Sequence, residues 1–122
     1  MRNLIKLEEA AMFVFGIFLL LPFNLPWWLV LILFFAPDLG AAGYLINPRF
    51  GAITYNLLHH KAVAIALFFI GLASANAYFQ IAGLLIFAHS SFDRVLGFGL
   101  KFPDSFNNTH LGAISKAAQQ AK

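Results

Sequence analysis

Four apolar stretches, near residues 7–23, 27–46, 52–73 and 78–100, dominate this chain, and each is long enough to cross a bilayer as a helix. A hydrocarbon core of roughly 30 Å takes about 20 helical residues, with about 17 as the usual lower limit. The breaks between the stretches are turn signals: Pro22, Asn24 and Pro26 after the first, Asn47-Pro48-Arg49 after the second, and a short polar turn from Ser74 to Ala77 after the third. Trp27 and Trp28 follow the first break, where an interfacial aromatic belt belongs. A soluble globule is hard to build from this material. Of 122 residues, 61% are hydrophobic, 11% are charged and 15 are phenylalanine, with a mean hydropathy of +0.78. That is more apolar surface than a soluble core of this length can hide. The expectation is an all-α fold: a four-helix transmembrane bundle over residues 1–100, then a tail, 101–122, whose Ala-rich end from Gly112 forms a short surface helix. The run from Ala10 to Phe23 lacks a small-residue cleavage site, so the basic start reads as a helix rather than as a removed signal.

Orientation follows from the basic residues, because Lys and Arg flanking a membrane segment are kept on the cytoplasmic side. Arg2, Lys6, Arg49, Lys101, Lys116 and Lys122 all fall on one side of a four-span chain, and the two opposite turns carry none. Both termini are therefore expected in the cytoplasm, on a multi-pass protein of the inner (plasma) membrane. The net charge of +3 is thinly spread, which argues against a nucleic-acid partner and for contact with membrane lipid. Four short helices around a polar centre leave surface for a homo-oligomer. With no cysteine in the chain, disulfides, thiolate metal sites and cysteine nucleophiles are excluded.

The ionisable residues inside the apolar stretches carry the functional signal, since each costs roughly 2.5–3.5 kcal/mol at bilayer depth and needs a partner, a watery cavity or a task. Asp38 lies in the second stretch, His59, His60 and Lys61 in the third, and His89, Asp93 and Arg94 in the fourth; Glu8 and Glu9 open the first. At about 1.5 Å per residue, Asp38, His59 and Asp93 all lie roughly 10–12 Å inside the cytoplasmic boundary. His89 shares a helix face with Asp93 at the i, i+4 spacing. Histidines and carboxylates projecting from facing helices are how bundles hold divalent metals, so Asp38, His59, His89 and Asp93 form the expected metal set, with zinc, manganese or iron as the ion. Glu8, Asn56, His60, Arg94 and His110 are accessory candidates: Glu8 as a fifth member, Asn56 as an orienter of an imidazole, His60 as the alternative to His59. Lys61 reads as a rim residue snorkelling to water, and His110 as a tail residue. A metal with an open position brings the pKa of a bound water to around 7, which makes metal-dependent hydrolysis of a lipid or another membrane-embedded substrate the expected activity.

The competing class is non-enzymatic: a bundle or transport subunit whose Asp/His network holds helices together or relays protons, with Asp38 paired to Arg94 or Lys61. Axial ligation of a haem by His59 or His60 with His89 is disfavoured by the two nearby carboxylates. Gly40, Ala41, Ala42 and Gly43 read as close helix packing rather than a phosphate loop.

The run Phe35-Ala36-Pro37-Asp38, Gly43-Tyr44, Asn47-Pro48-Arg49, Tyr55-Asn56-Leu57-Leu58-His59, Ala88-His89-x-x-x-Asp93-Arg94, and Gly97-Phe98-Gly99-Leu100-Lys101 through Thr109-His110-Leu111-Gly112 resembles a family of small bacterial four-helix integral membrane proteins classed as a domain of unknown function, of the 4260 type. The resemblance covers nearly the whole chain; it implies fold and localisation and carries no activity. By pattern, Pro37-Asp38, His59 and His89-x-x-x-Asp93 are also distantly similar to the core of the membrane-bound metal-dependent hydrolases, which implies metal binding. That pattern has a second aspartate two residues after the first, where this chain has Gly40, and an arginine after its histidine, where this chain has His60. Both departures point to a mononuclear site.

Overall fold

The computed structural model describes residues 2–97 and the two short strands 108–109 and 112–113. Helices account for nearly all of them: α1 (Arg2–Leu20), α2 (Trp27–Phe34), α3 (Pro48–Leu58), α4 (Lys61–Ala73) and α5 (Ala77–Leu96). Two 3-10 segments, Leu21–Phe23 and Ala36–Leu45, extend α1 and α2. Strands β1 (Asn108–Thr109) and β2 (Gly112–Ala113) pair antiparallel, Asn108 with Ala113 and Thr109 with Gly112. The first two residues of the expected tail helix are therefore strand, and its remainder lies outside the described residues.

The turns form where the sequence interrupts helical hydrogen bonding. The first closes with Asn24 in the left-handed region (φ 54°), and Pro26 then precedes α2. Asn47 accepts from the Phe50 amide at 2.7 Å and Pro48 occupies the first turn, a capped start for α3. Asn76 accepts from the Tyr78 and Phe79 amides to cap α5, which ends at Gly97 (φ 91°). The helix thus stops at Leu96, short of the expected Leu100, and Asp93 sits about one turn from its end rather than two.

Two departures from regular helix shape the molecule. The third stretch, expected as one helix over 52–73, is two: α3 and α4 meet at His59-His60 with a bend of 49°. The second stretch continues beyond α2 as a ten-residue 3-10 helix, far longer than the usual three or four residues. Pro37 has no amide hydrogen to continue the α-helical ladder, and the small residues that follow let the segment lie tightly on α3. A Cβ added at Gly40 would meet the Thr54 carbonyl oxygen at 2.8 Å, and one at Gly43 would stand 3.0 Å from Gly51 Cα. Thr54 Oγ1 donates to the Gly40 carbonyl at 2.6 Å, pinning the two together.

Helix α5 is the central element. Gly83 brings it against the α4 backbone at Ala64 and Phe68, and Gly16 of α1 faces Ala88. Leu20, Leu84 and Leu85 form an apolar core, with Ile17, Val30, Leu33 and Phe68 around it. One to two turns further along α5 the interior changes character: His59, His89, Ser90 and Ser91 are fully buried there, and Asp93 nearly so. Much of the outside is apolar too, with Trp27, Leu45 and Tyr78 each more than three-quarters exposed.

Candidate metal centre

Four side chains from three segments converge at the polar end of the interior. Asp38 comes from the long 3-10 helix, His59 from the kink between α3 and α4, and His89 and Asp93 from successive turns of α5. One ligand atom from each lies within 4.8 Å of all the others. His59 Nε2 stands 3.3 Å from Asp38 Oδ1 and 3.3 Å from Asp93 Oδ2; His89 Nε2 stands 3.1 Å and 3.5 Å from the same two oxygens. Donors held about 2.0–2.1 Å from a tetrahedral ion are about 3.3–3.4 Å from one another. Those four spacings straddle that value.

The kink decides which imidazole belongs to the set. His59 closes α3, and its ring lies flat on Tyr55 with centroids 3.8 Å apart. His59 Nδ1 donates to the Tyr55 carbonyl at 2.8 Å. A carbonyl only accepts, so the proton is on Nδ1, and in a neutral ring Nε2 presents a lone pair to the two carboxylates. Arg94 donates to the His59 carbonyl at 3.2 Å, holding the kink from α5. His60, the expected alternative, turns outward: it is exposed, and its Nδ1 accepts from the Ala62 amide to cap α4. On the other wall, Phe34 packs on His89 at 5.0 Å and on Phe13 and Phe92 at 5.7 and 5.5 Å. Among the described residues the cluster is most open at Asp38, whose side chain is 53% exposed.

The accessory candidates fall out differently from expectation. Glu8 is exposed and is not a fifth member; Glu9, on the inward face of α1, is ion-paired with Lys61. Lys61 therefore has a carboxylate partner and does not pair with Asp38. The Tyr55 carbonyl orients His59, and Tyr55 also donates its hydroxyl to Asp93 Oδ2 at 3.3 Å. Arg94 supports the His59 backbone, and His110 lies outside the described residues. Both missed residues had a signal in the sequence. Glu9 shares a helical stripe with Phe13, Gly16 and Leu20, which all face inward. Tyr55 is one turn before His59, so its carbonyl is within reach of a ring at the helix end.

A family model described as a domain of unknown function, DUF4260, matches residues 2–114. The chain belongs to that family. No curated protein and no solved structure matches it. Membership in DUF4260 brings no activity with it, and the candidate chemistry of this DUF4260 protein lies in the cluster itself.

Proposed function

We propose that this DUF4260 chain is a multi-pass membrane protein of four spans, with both termini cytoplasmic, that holds one divalent metal at Asp38, His59, His89 and Asp93 and hydrolyses a membrane-embedded substrate. The carrying observation is the orientation of His59. With Nδ1 committed to Tyr55, a neutral His59 points a lone pair at two carboxylate oxygens, and three acceptors facing one another call for a cation between them. The donor set of two imidazoles and two carboxylates, free of sulfur, suits zinc, manganese or iron. When bound, such a metal supplies Lewis acidity toward water or an ester or phosphoryl oxygen. The chain's own residues do the rest: Tyr55 orients His59 and Asp93, the Phe34 wall keeps bulk water from His89, and Asp38 marks the side from which substrate enters.

Support for the membrane reading is of a different kind. Among the described residues, Trp27–Leu45 is long and apolar enough to cross a bilayer, and α3 with α4 reaches that length as a bent pair. The exposed apolar side chains around the bundle suit lipid better than water. In this frame α1 and α5 are the other two spans, about 28–30 Å long at the α-helical rise. The second reading, a structural or proton-relaying network, is favoured by the same short His–Asp spacings, which a protonated imidazole would also satisfy.

Elemental analysis of detergent-purified protein beside His89→Ala separates the two. Near-stoichiometric metal in the wild type that disappears in the variant is the expected result, and justifies screening ester and phosphoester lipids. Metal-free, well-folded wild type prepared without chelator would favour the structural network.

A further inference from the structure

We infer that the cleft beside Asp38 seats a single acyl chain of a membrane lipid, with the lipid's polar end at the Asp38–His59–His89–Asp93 cluster. The inference rests on the metal reading for the fate of the polar end, and on the cleft alone for the chain. A cavity of about 220 Å³, walled by apolar residues, opens between the 3-10 helix, the end of α3 and the middle of α5. Its walls are close neighbours of the cluster. Pro37 precedes Asp38, Leu58 precedes His59, and Leu85 and Ile86 lie one helical turn before His89, on the same face. Ala82, another turn away, leaves the far end roomy because its side chain is a single methyl.

Size and polarity choose the occupant. An apolar cavity of about 150 Å³ takes up benzene, whereas drug-sized ligands fill about 300–1,000 Å³. A cleft of about 220 Å³ has room for a stretch of one hydrocarbon chain and matches its apolar surface. An occupant lying along Ala82 and Leu85 has to be apolar there, and if it extends past Pro37 and Leu58 its far end comes toward Asp38 and has to be polar. That is the chemistry of an acyl chain joined to its head group. Leu39 and Leu57, which adjoin the lining segments in sequence, are 74% and 55% exposed. The surface around the cleft is thus apolar, and lipid hydrocarbon is the matching partner for it.

The test uses the full-length protein in neutral detergent and a lysophosphatidylcholine carrying a fluorescent parinaroyl chain, with metal content measured on the same samples. Saturable uptake of about one probe per chain is expected. Ala82→Phe fills the far end and should weaken uptake at least tenfold while metal per chain stays at the wild-type level; Leu58→Trp, from the facing wall, should do the same if Ala82→Phe fails to fold. Leu39→Ala, outside the lining, should bind as wild type. Uptake that never saturates, or folded Ala82→Phe and Leu58→Trp proteins that bind as well as wild type, would overturn the inference. A metal-free wild type that still binds one probe per chain, and loses it in Ala82→Phe, keeps the acyl seat and removes the metal reading. Metal-loaded protein without saturable uptake does the reverse.

Discussion

Asp38→Asn keeps the shape of a side chain whose Oδ1 stands 3.3 Å from His59 Nε2 and 3.1 Å from His89 Nε2, and removes one negative charge. In metal-free protein with a neutral His59, that nitrogen's lone pair faces a carboxylate that cannot donate to it. An asparagine amide can. One new hydrogen bond contributes about 1 kcal/mol, and weaker repulsion from Asp93 acts in the same direction, so under chelator the variant should be more stable than wild type by about 1 kcal/mol. With metal the order reverses. A ligand at a thousand times its dissociation constant stabilises the folded state by about 4 kcal/mol, and losing one of four donors forfeits most of that. The variant should then fall below wild type by about 3 kcal/mol. The assay is unfolding of both proteins in detergent, followed by circular dichroism, with chelator and with added zinc. Crossing of the two stability orders is the expected signature. An Asp38→Asn protein that is already less stable under chelator would refute the reasoning, because it would mean that the carboxylate accepts from a protonated imidazole nitrogen, as His89 Nε2 at 3.1 Å allows, and is satisfied without metal.

Three further outcomes follow from the geometry. Tyr55→Phe removes the hydroxyl donated to Asp93 at 3.3 Å and should weaken metal binding about tenfold, the low end for such supporting contacts, in competition with a chelating dye; unchanged affinity would show that the hydroxyl does not support Asp93. Gly83→Ala places a Cβ 2.5 Å from the Ala64 carbonyl oxygen and 2.7 Å from the Phe68 nitrogen, backbone atoms that move only with the helix, and should cost about 1–3 kcal/mol in the same unfolding assay. Wild-type stability there would mean that α4 and α5 do not touch at that crossing. Because the chain has no native cysteine, single Arg49→Cys and Ser74→Cys variants report topology directly: an impermeant maleimide should reach them from opposite sides of sealed vesicles, and labelling of both from one side would sink the four-span arrangement.

Much of the helical plan was legible because it depends on residue type and spacing alone. Prolines clustered with asparagine at residues 22–26 and 47–48 interrupt the helical hydrogen-bond ladder, and the i, i+4 spacing puts His89 and Asp93 on one face of any helix containing both. The kink at His59-His60 was not legible. Neither histidine is a strong helix breaker on intrinsic propensity, and the contacts around the kink include one from a distant part of the chain: Arg94 takes the His59 carbonyl that a continuous helix would have used, while the Tyr55 ring and carbonyl hold the imidazole. The choice between Glu8 and Glu9 was only partly legible: adjacent residues on a helix point about 100° apart, Glu9 shares a stripe with Phe13, Gly16 and Leu20, but Glu8 shares one with Met12 and Phe15, and packing of α1 on α5 selects the stripe of Glu9.

The sequence by itself determined that this chain is helical, that its helices are apolar on most faces, and that a few carboxylates and imidazoles sit among them at shared spacings. Those are local properties, set by side-chain chemistry and by the helical repeat. Only the tertiary structure decided that Asp38, His59, His89 and Asp93 meet within 4.8 Å, and that His60 and Glu8 stay outside. The apolar cleft, walled by Pro37, Leu58, Leu85 and Ile86, is likewise a product of packing. Each of these features depends on where separate helices cross and how a single peptide bends, and contacts between residues tens of positions apart fix both.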